Sequence, residues 1–356
     1  MTRLRSLDVL RGITVAAMVI VNNPGDWSTV YQPLLHAEWD GWTPTDLIFP
    51  FFLFIVGTSI GLGRRQTTAA TILRRGAIIW GLGLLLAAFP FFHLSTVRIT
   101  GVLARIAWCY VPTALLARAV AAHPARRTIV WSTIVVVLSI YWIALIVGGD
   151  LSPEGNIGAS IDRGVFGAHL WKGGRWDPEG LASTMPAIAT TMIGLIAGWF
   201  IAETASPRAI VRGLLTWGLI GVLLGLFASV WLPINKNLWT SSYVLFTGGL
   251  AAACLAICYW ICDIRESALI KRVSEPFVAL GRNAILLFVV SGLLAKTLIY
   301  LKWPDPTLSL GGWLYQKAFL PIASPYNASL LYAAANLLLL YALLAALHRK
   351  RRYLTV

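Results

Sequence analysis

Charge is what this sequence has least of. Asp, Glu, Lys and Arg make up 12% of its 356 residues, and the acidic share is the smaller, 15 against 29 basic. A soluble domain carries about 25% charged residues, so the composition excludes an ordinary water-soluble globule. Cysteine is scarce too: the four, Cys109, Cys254, Cys258 and Cys262, lie in or beside apolar stretches and form no disulfide framework. Cys254, Cys258 and Cys262 recur at helical spacing on one face, which reads as small-residue helix packing in preference to a metal or redox site. Also missing are a phosphate-cradling Gly-rich loop, a His-Glu-x-x-His zinc motif and a Gly-x-Ser-x-Gly elbow. No metal is expected. No short-period repeat or low-complexity run interrupts the chain. The net charge of +14 would suggest nucleic acid in a soluble chain, but the basic residues form no stripe interleaved with aromatics, so no nucleic-acid partner is expected.

What the chain has in abundance is apolar length. Hydrophobic residues reach 58%, and the 16 Trp and 11 Tyr suit the interfacial belts of a protein in a lipid bilayer. With about 20 residues needed per crossing, ten segments qualify: 6–23, 44–63, 72–92, 99–118, 128–148, 182–202, 210–231, 239–261, 277–299 and 328–347. The first is no cleavable signal peptide, because Asp8 and Arg11 interrupt it and no small-residue cleavage pattern follows. Arg3, Arg5, Arg11, Arg64, Arg65, Arg74, Arg75 and the run Arg349-Lys350-Arg351-Arg352 fall on one side of these segments, with Arg98, Lys172, Arg175 and Lys236 among the fewer on the other. Basic residues stay inside. The fold class expected is therefore all-α: a polytopic integral-membrane bundle of about ten transmembrane helices with both termini cytoplasmic. It reads as one domain over residues 1–356, with outer-side loops 24–43, 149–181, 232–238 and 300–327. Loop 149–181 is too polar and Gly-rich to span and too long for a passive connector, so a lid or acceptor-binding role is expected of it, with Asp177 as N-cap of the helix that follows.

His36 stands out within the first outer loop. It sits in His36-Ala37-Glu38-Trp39-Asp40-Gly41-Trp42-Thr43-Pro44-Thr45-Asp46, a polar stretch between two apolar spans. Histidine titrates near neutral pH and serves as general base or nucleophile. Asp46 has two readings: an acidic residue favoured at a helix N-terminus, or a carboxylate that orients His36, as in catalytic triads. Ionisable groups inside spans are expensive and call for a reason. Asp8 and Arg11 can pair with each other, and Arg105 is expected to face a polar cavity, with Arg98 on the same face. Pro233-Ile234-Asn235-Lys236-Asn237-Leu238-Trp239 packs polar groups into a tight outer turn, and Gly281-Arg282-Asn283 opens the ninth span on the cytoplasmic side.

These blocks together resemble the heparan-α-glucosaminide N-acetyltransferase family of transmembrane acyltransferases. The resemblance is carried by Arg5-Ser6-Leu7-Asp8-Val9-Leu10-Arg11-Gly12, Met18–Asn22, His36–Pro50, Arg98–Arg105, Ile161-Asp162-Arg163, Asp177-Pro178-Glu179-Gly180, Pro233–Trp239 and Gly281-Arg282-Asn283. It implies a transferase of the bacterial inner membrane that moves acetyl from cytoplasmic acetyl-CoA to the amine of a glucosamine-type sugar on the periplasmic side. It implies His36 as active-site base or nucleophile, with Asn22 beside it; Asp46 joins them as a catalytic candidate on its position ten residues beyond His36. Arg98, Arg105, Lys236, Asn237, Arg282 and Asn283 become candidates for holding the CoA phosphates or pantetheine, since Arg and Lys suit anions. A homodimer is also implied. The alternatives are a transporter of a sugar or anionic solute, against which stands the lack of paired halves and matching broken helices, and O-acetylation of an envelope glycan.

Overall fold

The computed structural model describes residues 4–63, 67–171 and 174–349, so Arg3, Arg64, Arg65, Lys172, Lys350, Arg351 and Arg352 lie outside the described residues. Among the described residues there is no strand; the helices are α1 (Arg5–Asn22), α2 (Ile48–Leu62), α3 (Ala69–Ala88), α4 (Val102–Ala119), α5 (Arg126–Gly148), α6 (Ile157–Phe166), α7 (Leu181–Glu203), α8 (Pro207–Ala228), α9 (Ser241–Tyr259), α10 (Ala268–Arg282), α11 (Ala284–Tyr300), α12 (Leu310–Leu314) and α13 (Pro325–Arg349). Eight of the described helices are long and apolar enough to cross a membrane alone, and the bent pair α10–α11 makes a ninth. α1 has the length of a span, 18 residues, but carries Arg5, Asp8 and Arg11 in its first half. Every segment read as a span is thus helical.

Small residues set how closely the central helices meet. α2 and α7 cross through Gly57 and Gly61 on one side and Gly194 and Gly198 on the other. A Cβ at Gly57 would stand 1.8 Å from the Thr191 carbonyl oxygen, and one at Gly194 would stand 2.0 Å from that of Phe54. In lipid, where apolar surface gains nothing by burial between helices, such backbone contact is what holds a pair. α7 is the most buried span and α3 and α8 among the least, so α2, α7 and α9 form the centre and α3, α5, α8 and α13 the lipid-facing shell. The core there gathers Phe49, Trp239, Tyr243, Leu195 and Met192.

The segment expected as one straight helix over 277–299 is instead broken at Asn283, where α10 and α11 meet at 75°. The cause is amphipathicity: α10 exposes Lys271, Arg272 and Glu275 and packs its other face on α1, where a Cβ at Gly281 would lie 2.0 Å from the Asp8 carbonyl. A helix so charged on one face cannot cross hydrocarbon. Contacts join segments 24–43, 149–181, 232–238 and 300–327 at one end of the bundle. Trp39 Nε1 donates to Leu151 O at 2.9 Å, Asn235 Nδ2 to Asp40 Oδ1 at 3.1 Å, and Tyr31 OH to Asn327 Oδ1 at 2.8 Å. At the opposite end Arg5 pairs with Glu275 at 2.7 Å, and Arg126 and Arg127 both pair with Glu203.

Candidate active site

Thr43-Pro44-Thr45-Asp46 starts α2 through a 3-10 turn, and a capping box fixes it. Asp46 Oδ2 accepts from the Thr43 N–H at 2.9 Å and from the Ala37 N–H at 3.0 Å. Its Oδ1 lies 2.6 Å from His36 Nδ1. One carboxylate thus takes part in the turn that starts α2 and lies within hydrogen-bond distance of the histidine. The loop is pinned further by Thr43 Oγ1 to Leu35 O at 2.6 Å, Thr45 Oγ1 to Pro33 O at 3.1 Å, and Tyr243 OH to Asp46 O at 2.5 Å. Because an ionised carboxylate only accepts, the proton in this bond sits on Nδ1, which leaves Nε2 as the ring nitrogen turned away from Asp46. Asp46 is buried while the His36 side chain is 49% exposed, so the ring is held from behind and open in front.

In front of it lies a cavity of about 120 Å3. His36, Asn22, Glu179 and Lys236 form its polar rim, and it runs inward past Thr14, Met18, Phe52, Ile106, Ile285 and Phe288. Asn22 lines this space, whereas the neighbouring Asn23 turns its amide to Val19 O and Ser291 Oγ. Lys236 is presented by the α8–α9 turn, where Asn235 Oδ1 accepts from Leu238 N at 2.8 Å and Thr240 Oγ1 donates to Pro233 O at 2.8 Å. Its Nζ stands 3.1 Å from His36 Nδ1, 3.3 Å from Nε2 and 3.8 Å from Asp46 Oδ1. Burial lowers the Lys236 ammonium from its ordinary value, against the pull of Glu179 and Asp46.

The other candidates lie elsewhere. Arg98 precedes α4 in extended chain and does not share its helical face with Arg105; it clamps the 177–179 segment, with Nε 2.9 Å from Asp177 Oδ2 and Nη2 2.5 Å from Glu179 Oε2. Despite its burial, that pairing raises Arg98's proton affinity, while Arg98 and Thr100 outweigh the burial of Asp177 and hold its carboxyl low. Asp177 is thus no N-cap. The carboxylate at the start of α7 is Asp162, which accepts from Leu181 N at 2.7 Å, so close to Gly180 that a Cβ there would fall 1.7 Å from Oδ2. Arg105 is wholly buried behind the cavity wall: Nη2 donates to Gly180 O at 3.1 Å and to Ser183 Oγ, and its guanidinium faces the Trp239 ring at 5.0 Å. Asn237 is half-buried and not on the cavity. Arg282 and Asn283 sit at the opposite end, Arg282 Nε 3.2 Å from Asp8 Oδ2 and Asp8 Oδ1 3.0 Å from Arg11, the pairing its spacing suggested. Glu179 was missed as a cavity residue. Its Asp-Pro-Glu-Gly context reads as a turn, and only the fold of loop 149–181 brings it opposite His36.

A family model described as heparan-alpha-glucosaminide N-acetyltransferase, catalytic, matches residues 3–152. That stretch holds Asn22, His36, Asp46, Arg98 and Arg105; Glu179 and Lys236 lie beyond it. The heparan-alpha-glucosaminide N-acetyltransferases of Homo sapiens and Mus musculus are each 30% identical to the chain, over 81% of its length. The aligned regions cover 52% and 53% of those proteins, so the chain spans about half the length of the curated relatives it matches.

Proposed function

We propose that this chain, similar in sequence to the heparan-alpha-glucosaminide N-acetyltransferases, is a membrane-embedded N-acetyltransferase. It takes acetyl from acetyl-CoA supplied at the Arg11–Arg282 end and passes it to the amine of a glucosamine-type sugar at the His36 end, across a bacterial inner membrane. The observation that carries this reading is the His36–Asp46 pair at the mouth of a cavity running down the bundle. An acceptor amine placed at Nε2 loses its proton to the ring as it attacks the thioester carbonyl, and the Asp46 carboxylate balances the imidazolium that forms. Such proton transfer contributes about 10²–10⁴-fold. Asn22 borders the same space, where an N–H aimed at the developing oxyanion contributes about 10²–10³-fold.

The cavity's size supports a division of labour along α1. At about 120 Å3 it falls short of the about 300–1,000 Å3 of a site that takes in a whole drug-sized ligand. It suits the acetyl and thioester end of the donor, with the charged nucleotide left outside. From Asp8 to Asn22 the helix rises about 21 Å at 1.5 Å per residue. A thin pantetheine arm fits that span, and Arg11, Arg282 and Asn283 stand where its phosphates would emerge.

The test is purified protein in detergent with acetyl-CoA and glucosamine, following CoA release and N-acetylated sugar by mass spectrometry, wild type beside His36→Ala. Product from wild type alone is expected. Equal product from both variants removes His36 from the chemistry, and uptake of sugar into vesicles without acetylation would establish a transporter instead.

A further inference from the structure

We propose that Lys236 is a self-acetylation site, its ε-amine taking the acetyl group from the donor thioester whenever no acceptor amine fills the cavity. This rests on the transferase reading above. A proton-accepting histidine needs its acceptor amine within hydrogen-bond reach of Nε2. Lys236 Nζ already stands 3.3 Å from that atom, on the cavity rim with Asn22 and Glu179. No other lysine among the described residues lines this cavity. The α8–α9 turn holds the Lys236 backbone in place, so the amine is a tethered competitor at high effective concentration. Four charged or titratable groups face it: His36 and Glu179 on the rim, Asp46 behind the His36 ring, and Arg105 behind the cavity wall. Burial and Arg105 favour the neutral, nucleophilic amine; Glu179 and Asp46 favour the ammonium.

The step balances without any further reactant. The neutral amine attacks the thioester carbonyl, the C–N bond forms, the C–S bond breaks, and the amine proton passes through His36 to the departing thiolate. The products are an amide on Lys236 and free CoA. The amide carries no charge, leaves Asp46 and Glu179 without that cation, and fills the place an acceptor amine needs. A donor-rich, acceptor-poor enzyme would therefore switch itself off.

The experiment incubates the full-length protein in detergent with acetyl-CoA alone, then maps acetylated lysines by peptide mass spectrometry over time, with a parallel sample containing glucosamine. Lys236 should gain one acetyl group about tenfold faster than Lys271, although its side chain is 14% exposed and that of Lys271 is 51%. Sugar-acetylating activity should decay in step, and Lys236→Arg should hold its own starting activity over the same period. Random acylation would favour exposed Lys271, Lys302 and Lys317, and that order overturns the proposal. Sugar acetylated with Lys236 bare in both samples also overturns it and leaves the transferase standing; neither product removes both readings. Lys236 modified with no sugar product sustains the site and sends the search to another acceptor.

Discussion

At the scale of single residues, one carboxylate does two structural jobs. Asp46 closes the turn that begins α2 and fixes the His36 ring, and both are readable from sequence: Thr-Pro-Thr-Asp before an apolar run is a helix start, and a histidine ten residues upstream is within reach of it. His36→Ala is expected to lower turnover by about 10²–10⁴-fold while the protein melts at nearly the wild-type temperature, since a half-exposed loop side chain contributes little packing. A large fall in melting temperature would mark His36 as structural. Asp46→Asn tests the division within the pair. The amide can still accept from a backbone N–H but cannot balance an imidazolium, so turnover should drop by at least about 10²-fold with a smaller change in sugar KM; a KM effect alone would confine Asp46 to positioning. What sequence left illegible is Glu179 and the burial of Arg98 and Arg105. An arginine looks the same in a chain whether it binds a phosphate or clamps a neighbouring loop. Only the fold places the Asp177 and Glu179 carboxylates against Arg98 and the Gly180 carbonyl against Arg105.

At the scale of elements, two assemblies fix the site: the α2–α7 crossing and the clamp on loop 149–181. The crossing carries the Asp46 turn on α2 and the Asp177–Gly180 turn on α7, so its closeness sets the distance from His36 to Glu179. Gly194→Leu puts a side chain where the Phe54 carbonyl lies 2.0 Å from a Cβ, and should cost about 1–3 kcal/mol or more in detergent-unfolding assays, with activity lost before fold. An active variant of wild-type stability would mean the helices can separate freely. The clamp has a pH signature. Burial pushes the Asp162 carboxyl up to about 6, with the Leu181 N–H opposing and Asp177's charge adding. The native state therefore keeps this proton between the ordinary 3.8 and about 6, where the unfolded chain gives it up. Stability from this group is highest at the acid end of that window, falls as pH rises through it, and is level above it. Asp177, held low, acts below its ordinary 3.8 with opposite slope, so the windows do not overlap. Melting wild type and Asp162→Asn at several pH values from 4 to 7 should show this slope in the first and not in the second, because the amide still accepts from Leu181. Parallel curves would sink the assignment. Spacing in the sequence announced none of this, since Asp162 and Leu181 come together through the folding of a loop.

At the scale of the whole molecule, the apolar segments predicted every long helix, but not that the ninth would break. The hydropathy of 277–299 runs through Asn283 without a gap, while the amphipathic face of α10 becomes meaningful only once α1 lies beside it. The polar cavity residues His36, Glu179 and Lys236 sit at one end of the bundle, while Arg5, Arg11, Arg126, Arg127 and Arg282 crowd the other. If basic residues remain on the cytoplasmic face, donor and acceptor approach from opposite sides and the acetyl group alone crosses. Proteoliposomes with protein in one orientation make this testable. A cysteine placed at exposed Glu154, near the His36 end, and one at Arg208, at the start of α8, should react with an impermeant thiol reagent from opposite faces. Acetyl-CoA should then support sugar acetylation only from the face that labels position 208, and the N-acetyl sugar should collect on the face that labels position 154. Donor and acceptor working from the same face would keep His36 as the reacting group but turn the cavity along α1 into a blind pocket, leaving the Arg11–Arg282 end without a role in binding the donor.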